Sequence, residues 1–504
     1  MKRYYLVLTC FLLFAGLKAQ DRQPSSAKYI FALEDVIQLA KEQSPNAIMA
    51  RHTFRASYYT FRAYKAEFLP KLSLNTNPAN YSHSIRSIES INSSGGYSIT
   101  EVSANTFSST ANLSLTQSIG LTGGTVSLGS DFSRLQNLDD DTDRNTQYTT
   151  TPVKVSLEQP LNGYNSLKWQ KKIEPLRFDE AKQNYIAQME QVSSQAVDYY
   201  FALALAQISL NMAKTNYANS KELYEISQGR YMIGTIAEDA LLQMELRYMQ
   251  AESKLNKAQM DIQVKQSQLR SFLGFNDNVE IELQINPEIP SLKVSYDQAL
   301  DYALTRSPSI ISYNRQLLEA EQNVAQAKSR KGVTVSLSGS FGLNKTGHVF
   351  RNAYTPRFDD QEGVSMGIRI PILDWNQERD RYRNAQSRLE VVETQMKQME
   401  TDFRQNVYLQ VMQFNMQEDQ LRIAAKADTI AQKGYEVSRQ RYLIGKVSVT
   451  DLNIADTDKD QAKMNYIAEL QAYWNYYYTV RRLTLFDFRN NQAIDADFAT
   501  LVGE

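Results

Sequence analysis

Residues 224–234 read YEISQGRYMIG, and residues 435–445 read YEVSRQRYLIG. The two stretches agree at most positions, and their differences include Ile for Val and Met for Leu. A second pair, FALEDVIQLA at 31–40 and VSYDQALDYA at 294–303, lies 263 residues apart, whereas the first pair lies 211 residues apart. The sequence therefore predicts two internal repeats, with 52 extra residues between Leu74 and Gln159 of the first copy.

Each copy contains a stretch whose apolar residues repeat with helical spacing. Residues 162–230 and 374–441 are each nearly 70 residues long, which corresponds to helices of roughly 100 Å. In the second copy the apolar positions step by three and four residues from Tyr382 to Phe403 and continue to Phe414, as in a coiled-coil seam. We expect a lone chain to expose this seam, and Gly234 and Gly445 to end the first helix of each hairpin.

The segments between the short and the long helices alternate with a period of two. One face carries apolar residues and the other carries Ser, Thr, Lys154 and Arg369; the predicted apolar face includes Leu74, Leu115, Leu157, Val335 and Ile368. This pattern fits a half-buried sheet of a soluble protein and also a membrane barrel. The 52 extra residues contain a tight hairpin at residues 121–124. Six strands per chain are therefore expected, unless the extra pair folds outside the barrel.

The first 19 residues have the features of a secretory signal peptide. Met1-Lys2-Arg3 is basic, and an apolar run follows that is too short to span a bilayer as a helix. The single cysteine, Cys10, lies in this run, and Thr9 stands where a lipid-anchor signal needs a smaller residue. No later stretch is apolar enough for a membrane helix. An exported chain of this kind can enter a membrane only through β-strands.

The composition gives little support to catalysis, metal binding or nucleic-acid binding. Lys and Arg number 55 against 56 Asp and Glu, so no basic surface is predicted. Three His and one Cys are too few for a His/Cys metal site. The GVSMG motif at 363–367 places Ser365 in an alternating strand rather than in a nucleophile elbow. The acidic run Asp139–Asp143 lacks the Gly and Glu of a calcium loop and is interpreted as exposed. We expect no enzyme activity and no cofactor.

Taken together, the motifs resemble the TolC outer-membrane efflux family. The shared features are the two-copy layout, the strand ends at 157–161 and 368–372, and the Arg-Tyr-x-x-Gly turns followed by Asp239 or Asp451. The resemblance covers residues 30–486. It implies an α+β membrane protein: a trimeric transmembrane β-barrel in the outer membrane, continued by a long coiled-coil α-helical barrel that extends into the periplasm.

The predicted organisation follows the repeat. A signal peptide at 1–19 precedes a first repeat at 20–293 and a second repeat at 294–504. Each repeat contains a helix, a β-region (about 70–161 and about 333–373) and a long helical hairpin (162–274 and 374–486). A linker that includes Pro287 and Pro290 follows the first hairpin, and a short tail follows the second.

The resemblance also implies a function and partners. The expected function is an exit duct through which small molecules leave passively. The expected partners are two further copies of the chain, a periplasmic adaptor (membrane fusion) protein, an inner-membrane RND or ABC transporter and outer-membrane lipid. Two alternatives stay open: a duct for type I protein or peptide secretion, and a soluble secreted coiled-coil scaffold. The sequence does not identify the cargo.

The hairpin turns are the candidate functional site. Arg and Tyr recur at both turns, which is typical of contact sites, and the resemblance implies that the duct is closed there. Tyr442 and Asp451 match family positions, whereas Val447 stands where the family has Arg. We therefore expect Arg230 and Arg441 to meet Asp239 and Asp451. The predicted gate and adaptor contact comprises Arg230, Tyr231, Gly234, Asp239, Arg441, Tyr442, Gly445 and Asp451.

Overall fold

A computed structural model describes residues 28–91, 97–139, 145–275, 279–286 and 291–503. The predicted signal peptide, residues 140–143 of the acidic run, and Pro287 and Pro290 lie outside the described residues. The helices are α1 (Leu33–Gln43), α2 (Pro45–Ala66), α3 (Ser166–Met232), α4 (Glu238–Leu273), α5 (Tyr296–Arg306), α6 (Pro308–Lys331), α7 (Gln377–Leu443), α8 (Val449–Thr484) and α9 (Phe498–Val502). The strands are β1 (Lys28–Phe31), β2 (Lys71–Ile91), β3 (Tyr97–Ile119), β4 (Gly124–Asn137), β5 (Thr146–Asn162), β6 (Glu280–Leu283), β7 (Thr334–Gly347), β8 (Asp359–Arg369), β9 (Phe486–Asp487) and β10 (Gln492–Ala493).

Two helical hairpins dominate the molecule. Helices α3 and α7 each have 67 residues, and α4 and α8 each have 36. At about 1.5 Å per residue, α3 and α7 each extend about 100 Å. In the described part of the chain, no helix is both long enough and apolar enough to cross a membrane.

The large sheet contains six antiparallel strands in the order β2-β3-β4-β5-β7-β8. The hairpin predicted within the 52 extra residues is β3–β4, which pairs from Ile119↔Gly124 to Thr106↔Asn137. It lies inside this sheet, so the structure decides for six strands in one sheet and against a pair folded outside it. Strands β2 and β8 form the two edges.

The sheet has one apolar face and one hydroxyl-rich face. Residues paired directly across strands share a face; Leu115 pairs with Leu128, which pairs with Val155, whereas Ser114 pairs with Gly129, which pairs with Lys154. The strand registers place the five predicted apolar residues on one face, and they place Lys154 and Arg369 on the other. The predicted division of the two faces is confirmed; these residues are Leu74, Leu115, Leu157, Val335 and Ile368.

The main hydrophobic core lies where the short helices meet the middle of α3 and α7. It includes the fully buried residues Val36 of α1, Tyr200 of α3 and Leu269 of α4. Strand β6 pairs in parallel with β1 on one side. On its other side the Gln207 side chain donates to the carbonyl of Ile281 (3.1 Å) and accepts from the amide of Leu283 (3.2 Å). A helix side chain therefore satisfies the edge of a two-stranded sheet.

A buried ion network joins α1, α3, α8 and β9 beside this core. Arg481 Nε lies 2.8 Å from Glu190 Oε2, and Arg481 Nη1 lies 3.0 Å from Asp487 Oδ2. Lys41 Nζ donates to Glu190 Oε1 (2.8 Å), and the Tyr477 hydroxyl donates to Asp487 (2.7 Å). Burial alone would raise the pKa of Asp487, but the Tyr477 hydrogen bond and the Arg481 charge hold it below its ordinary value.

Helix α7 carries apolar residues on two opposite sides. Phe403, Val407, Val411 and Phe414 are buried within the chain, so the expectation that a lone chain exposes the whole seam is wrong for this half. Residues two positions after Val407 and Phe414, namely Leu409 and Met416, point to the opposite side, because two residues turn a helix by about 200°. This side, called the exposed stripe below, repeats every seven residues; its members are Leu409, Met416, Ile423, Ile430, Val437 and Ile444.

Candidate functional site

The two hairpin tips have the same backbone design. Gly234 and Gly445 both adopt a φ of +73°, the left-handed conformation that glycine tolerates without strain. In each turn the amide after the glycine donates to the carbonyl of the tip arginine, from Thr235 to Arg230 and from Lys446 to Arg441, both at 2.9 Å. This hydrogen bond defines the helix-ending Schellman motif. The repeated motif therefore fixes both tips in one geometry.

Two of the predicted site residues join the tips inside the chain. Arg230 Nη2 donates to the carbonyl of Leu443 (3.0 Å), and its guanidinium lies 5.7 Å from the centre of the Tyr442 ring. Tyr442 is 6% exposed, and its hydroxyl lies 3.4 Å from that of Ser227. The first tip is therefore held to the second by two hydrogen bonds, a cation–π contact and the burial of the Tyr442 ring.

The corresponding residues, Arg441 for Arg230 and Tyr231 for Tyr442, lie on the surface. Arg441 is exposed, and Tyr231 is 42% exposed. Large apolar side chains are also exposed beside them at Met232, Ile233 and Ile444. The two Arg-Tyr pairs are equivalent in sequence. Within the chain, however, the contact joins Arg230 of the first pair to Tyr442 of the second.

The predicted Arg–Asp contacts do not form within the chain. Asp451 accepts from the backbone amide and hydroxyl of Ser448 and completes a capping box at the start of α8. Asp239 lies in the first turn of α4, where an acid is favourable next to the helix N-terminus. Both acids therefore stabilise helix starts here, and contacts between neighbouring chains stay a prediction.

Sequence reasoning missed a set of charged residues behind the tips, called the tip-proximal ion cluster. Arg247 of α4 forms a 2.6 Å ion pair with Asp456 of α8, and both side chains are largely buried. Lys459 lies 2.9 Å from Asp456 and 3.3 Å from Asp460, and Asn216 of α3 donates to Asp460 (2.7 Å). The cluster therefore ties the first hairpin to the second about 20 Å from the tips.

Aromatic contacts support this cluster. Lys459 Nζ lies 4.2 Å from the centre of the Tyr435 ring on α7. Burial alone would lower the pKa of Lys459, but the hydrogen bond and charge of Asp456 keep it raised. Burial raises the pKa of Tyr435. Lys459 therefore stays charged and Tyr435 neutral across the physiological pH range.

The site offers contacts rather than chemistry. Among the described residues, no group of three His, Cys, Asp or Glu side chains could hold a metal ion. The tips present paired cations, aromatic rings and exposed apolar side chains. Such an arrangement can bind another protein or another copy of the chain.

Comparison with known proteins agrees with this description. The chain is similar to the alkaline protease secretion protein AprF of Pseudomonas aeruginosa, with 23% identity over 248 residues. This match covers 47% of the chain and 49% of AprF, about half of each. A similar fold is found in the Campylobacter jejuni CmeC outer membrane channel, with a TM-score of 0.64, 17% identity, and 93% and 88% of the two chains covered.

The Neisseria gonorrhoeae MtrE outer membrane channel in its open state also has a similar fold. Its TM-score is 0.61 at 13% identity, with 90% of this chain and 88% of that one covered. The sequence model of the outer membrane efflux protein family matches residues 118–275 and 299–484, which include the long hairpins and strands β4, β5, β7 and β8 of the large sheet. The chain therefore belongs to the outer membrane efflux protein family.

Proposed function

We propose that this chain is one protomer of a homotrimeric exit duct, located in the outer membrane and extending into the periplasm, through which small molecules leave the cell. The observation that carries the proposal is the division of the large sheet into one apolar face and one hydroxyl-rich face, continued by two hairpins of about 100 Å. A strand that separates lipid from water has this alternation.

Aromatic residues support a membrane position for the sheet. Phe107 lies on the apolar face eight residues above Leu115, about 27 Å along the strand. Phe132, Tyr148 and Phe350 form a cluster of rings with centroids 5.9–6.3 Å apart. Outer-membrane barrels place such rings at the boundary of an apolar band about 25 Å tall. The span from Phe107 to Leu115 along β3 is close to this height.

The sheet edges support a trimer. Strands β2 and β8 have one neighbour each, and unpaired strand edges cannot face lipid. Three copies close a barrel of eighteen strands when each β2 pairs with β8 of the next copy.

The helices support the same assembly. The exposed stripe of α7 has a partner of similar character on α4, where the exposed side chains include Leu242, Leu246, Met249, Met260 and Val264. Packing the two stripes together between neighbouring chains gives a continuous helical barrel. The equal lengths of the two hairpins support a ring of six near-equivalent units, with each chain built from two copies.

This near-equivalence suggests how the tips close. Within the chain, Arg230 donates to the carbonyl of Leu443 and covers Tyr442. At the repeat offset of 211 residues, Arg230 corresponds to Arg441, Leu443 to Met232 and Tyr442 to Tyr231. We therefore place exposed Arg441 on the carbonyl of Met232 of the partner subunit. Six such contacts hold the tips together, and an adaptor that binds the exposed apolar tip residues releases them.

Replacing Arg441 by alanine tests this gate. We expect single-channel conductance in lipid bilayers to rise several-fold, because a charge-assisted hydrogen bond of about 1.5–3 kcal/mol is lost at each subunit boundary. The trimer should remain intact. Lys446→Ala is the matched control, since it removes the same charge from an exposed position of the same turn. Equal conductance of the two variants would place the gate elsewhere.

Replacing Leu113 by arginine tests the membrane face. Leu113 shares the apolar face with Leu74, and an arginine near the middle of the bilayer costs about 2–4 kcal/mol. We expect a lower yield of folded, SDS-resistant protein in lipid vesicles. Ser114→Arg is the control, because Ser114 lies on the opposite face and its arginine would be in water. A larger loss for Ser114→Arg would reverse the two faces.

The duct itself supplies no chemistry and needs no cofactor. Its partners in the proposal are a periplasmic adaptor and an inner-membrane transporter, which bring cargo to the tips. The similarity to a protease secretion protein favours one second candidate, a duct for type I secretion of proteins. Deleting the gene should sensitise cells to small toxic compounds if the chain serves efflux. It should instead remove specific proteins from the culture medium if the chain serves secretion.

A further inference from the structure

Strands β2 and β3 extend well beyond the rest of the sheet. They pair from Lys71↔Thr116 to Ile91↔Tyr97, whereas the pairing of β3 with β4 ends at Thr106↔Asn137. Residues 83–91 and 97–105 therefore form a two-stranded ribbon, called the outer ribbon, with no third strand beside it within the described residues. At about 3.4 Å per residue it projects about 30 Å beyond the other strands.

The base of the outer ribbon combines a fixed end with a bend. The Tyr81 hydroxyl donates to Asn105 Oδ1 (3.1 Å), and the amide of Leu138 donates to the carbonyl of Asn105 (2.7 Å). Just below, the pairing register shifts between Asn77 and Asn80. Such an irregularity bends a strand and increases its twist. Hydrogen bonds thus fix the base of the ribbon to the sheet, close to the irregularity at which β2 can bend.

One face of the outer ribbon carries four exposed large apolar side chains, compared with Ile88 on the other face. Ile85, Ile91, Tyr97 and Ile99 are 62%, 71%, 73% and 73% exposed. The strand register places these four on the same side of the sheet as Phe107 and Leu113. The ribbon therefore continues the side that faces lipid in the proposed barrel, above the level where Tyr81 and Phe107 mark the membrane boundary.

We expect the exposed apolar side chains of the outer ribbon to be covered by another surface. A two-stranded hairpin alone in water is marginally stable, and exposed clusters of large apolar side chains mark contact surfaces. If the outer ribbon bends away from the barrel axis at this irregularity, its four exposed apolar side chains turn towards the membrane surface. Bending inward would instead turn the opposite face, which carries Arg86, Ile88 and small residues such as Ser84 and Ala104, across the mouth of the duct and leave the four apolar residues in water.

We propose that the outer ribbon lies on the outer leaflet as an interfacial anchor, with Ile85, Ile91, Tyr97 and Ile99 at the boundary between headgroups and acyl chains. This inference rests on the proposed function. Glu89 and Glu101 lie on the same face, and the cost of placing a carboxylate among acyl chains keeps the ribbon at the interface rather than deeper. The partner is thus a lipid surface, bound through buried apolar area.

The experiment uses full-length protein in nanodiscs with single fluorophores. Cys10→Ser removes the single native cysteine, and an NBD label is then attached to Ile99→Cys, Ser84→Cys or Leu113→Cys. Lipids that carry a doxyl quencher near the headgroup report contact with the interface. We expect at least twofold stronger quenching at Ile99 than at Ser84, and strong quenching by deeper doxyl groups at Leu113.

Each other result overturns the inference in a different way. Quenching at Leu113 but not at Ile99 would leave the membrane-spanning sheet intact and remove the anchor. An Ile99 label shielded from aqueous iodide yet unquenched by lipid would show that another ribbon covers the face. An unquenched Leu113 label would contradict the proposed function itself, and the anchor with it.

Discussion

Replacing Ile430 by aspartate is expected to abolish trimer formation while each chain keeps its helices. Ile430 is 61% exposed in the chain and lies in the middle of the exposed stripe of α7. In the proposed trimer it is buried at all three boundaries between chains. An unpaired carboxylate buried at each boundary costs several kcal/mol. Native mass measurement in detergent should show monomers, and circular dichroism should show unchanged helicity.

Thr429→Asp is the matched control for this variant. Thr429 is exposed, and its hydroxyl bonds only to its own helix, at the carbonyl of Ala425. The residue lies about 100° around the helix from Ile430, so the same charge is added outside the stripe. This control should remain trimeric. A stable trimer of Ile430→Asp would show that another surface of α7 makes the boundary.

The local periodicity of the sequence contains the information for the faces of strands and helices. Alternation over a few residues assigned Leu115 and Lys154 to opposite faces of the sheet, because a strand turns each successive side chain to the other side. The same argument failed for the seam between Phe403 and Phe414. Apolar periodicity shows that a helix side is buried, but it does not show whether the partner belongs to the same chain.

The contacts that hold the site together could not be predicted, because they join distant positions without a local pattern. Arg247 and Asp456 lie 209 residues apart, and neither belongs to a repeated motif. The roles of Arg230 and Arg441 also could not be separated, since their sequence surroundings are nearly the same. They differ because, within one chain, Arg230 of the first tip contacts the second tip, whereas Arg441 already lies at the second tip and, among the described residues, contacts no further tip of the same chain.

Replacing Arg481 by methionine is expected to lower the free energy of unfolding by about 3–5 kcal/mol, the loss typical when one partner of a buried ion pair is removed. Arg481 lies between Glu190, which is fully buried, and Asp487, which is 4% exposed. Methionine fills much of the same space but leaves both acids without this cation. Urea titration followed by tryptophan fluorescence measures the loss. Arg482→Met, at the exposed neighbouring position, should change stability by less than about 0.5 kcal/mol.

A second substitution separates lost charge from lost packing. Asp487→Asn combined with Arg481→Met removes the charge of the acid that loses its cation, whereas Glu190 keeps Lys41 at 2.8 Å, so the double variant should be more stable than Arg481→Met alone. Acid provides an independent check. The lowered pKa of Asp487 means that its carboxylate stabilises the wild-type fold above about pH 4, and this contribution is lost as the pH falls through that pKa. Without the Arg481 charge the contribution is smaller, so Arg481→Met should lose less stability than the wild type between pH 6 and pH 3. An equal acid loss in both proteins would mean that Arg481 acts on the fold through its packing alone.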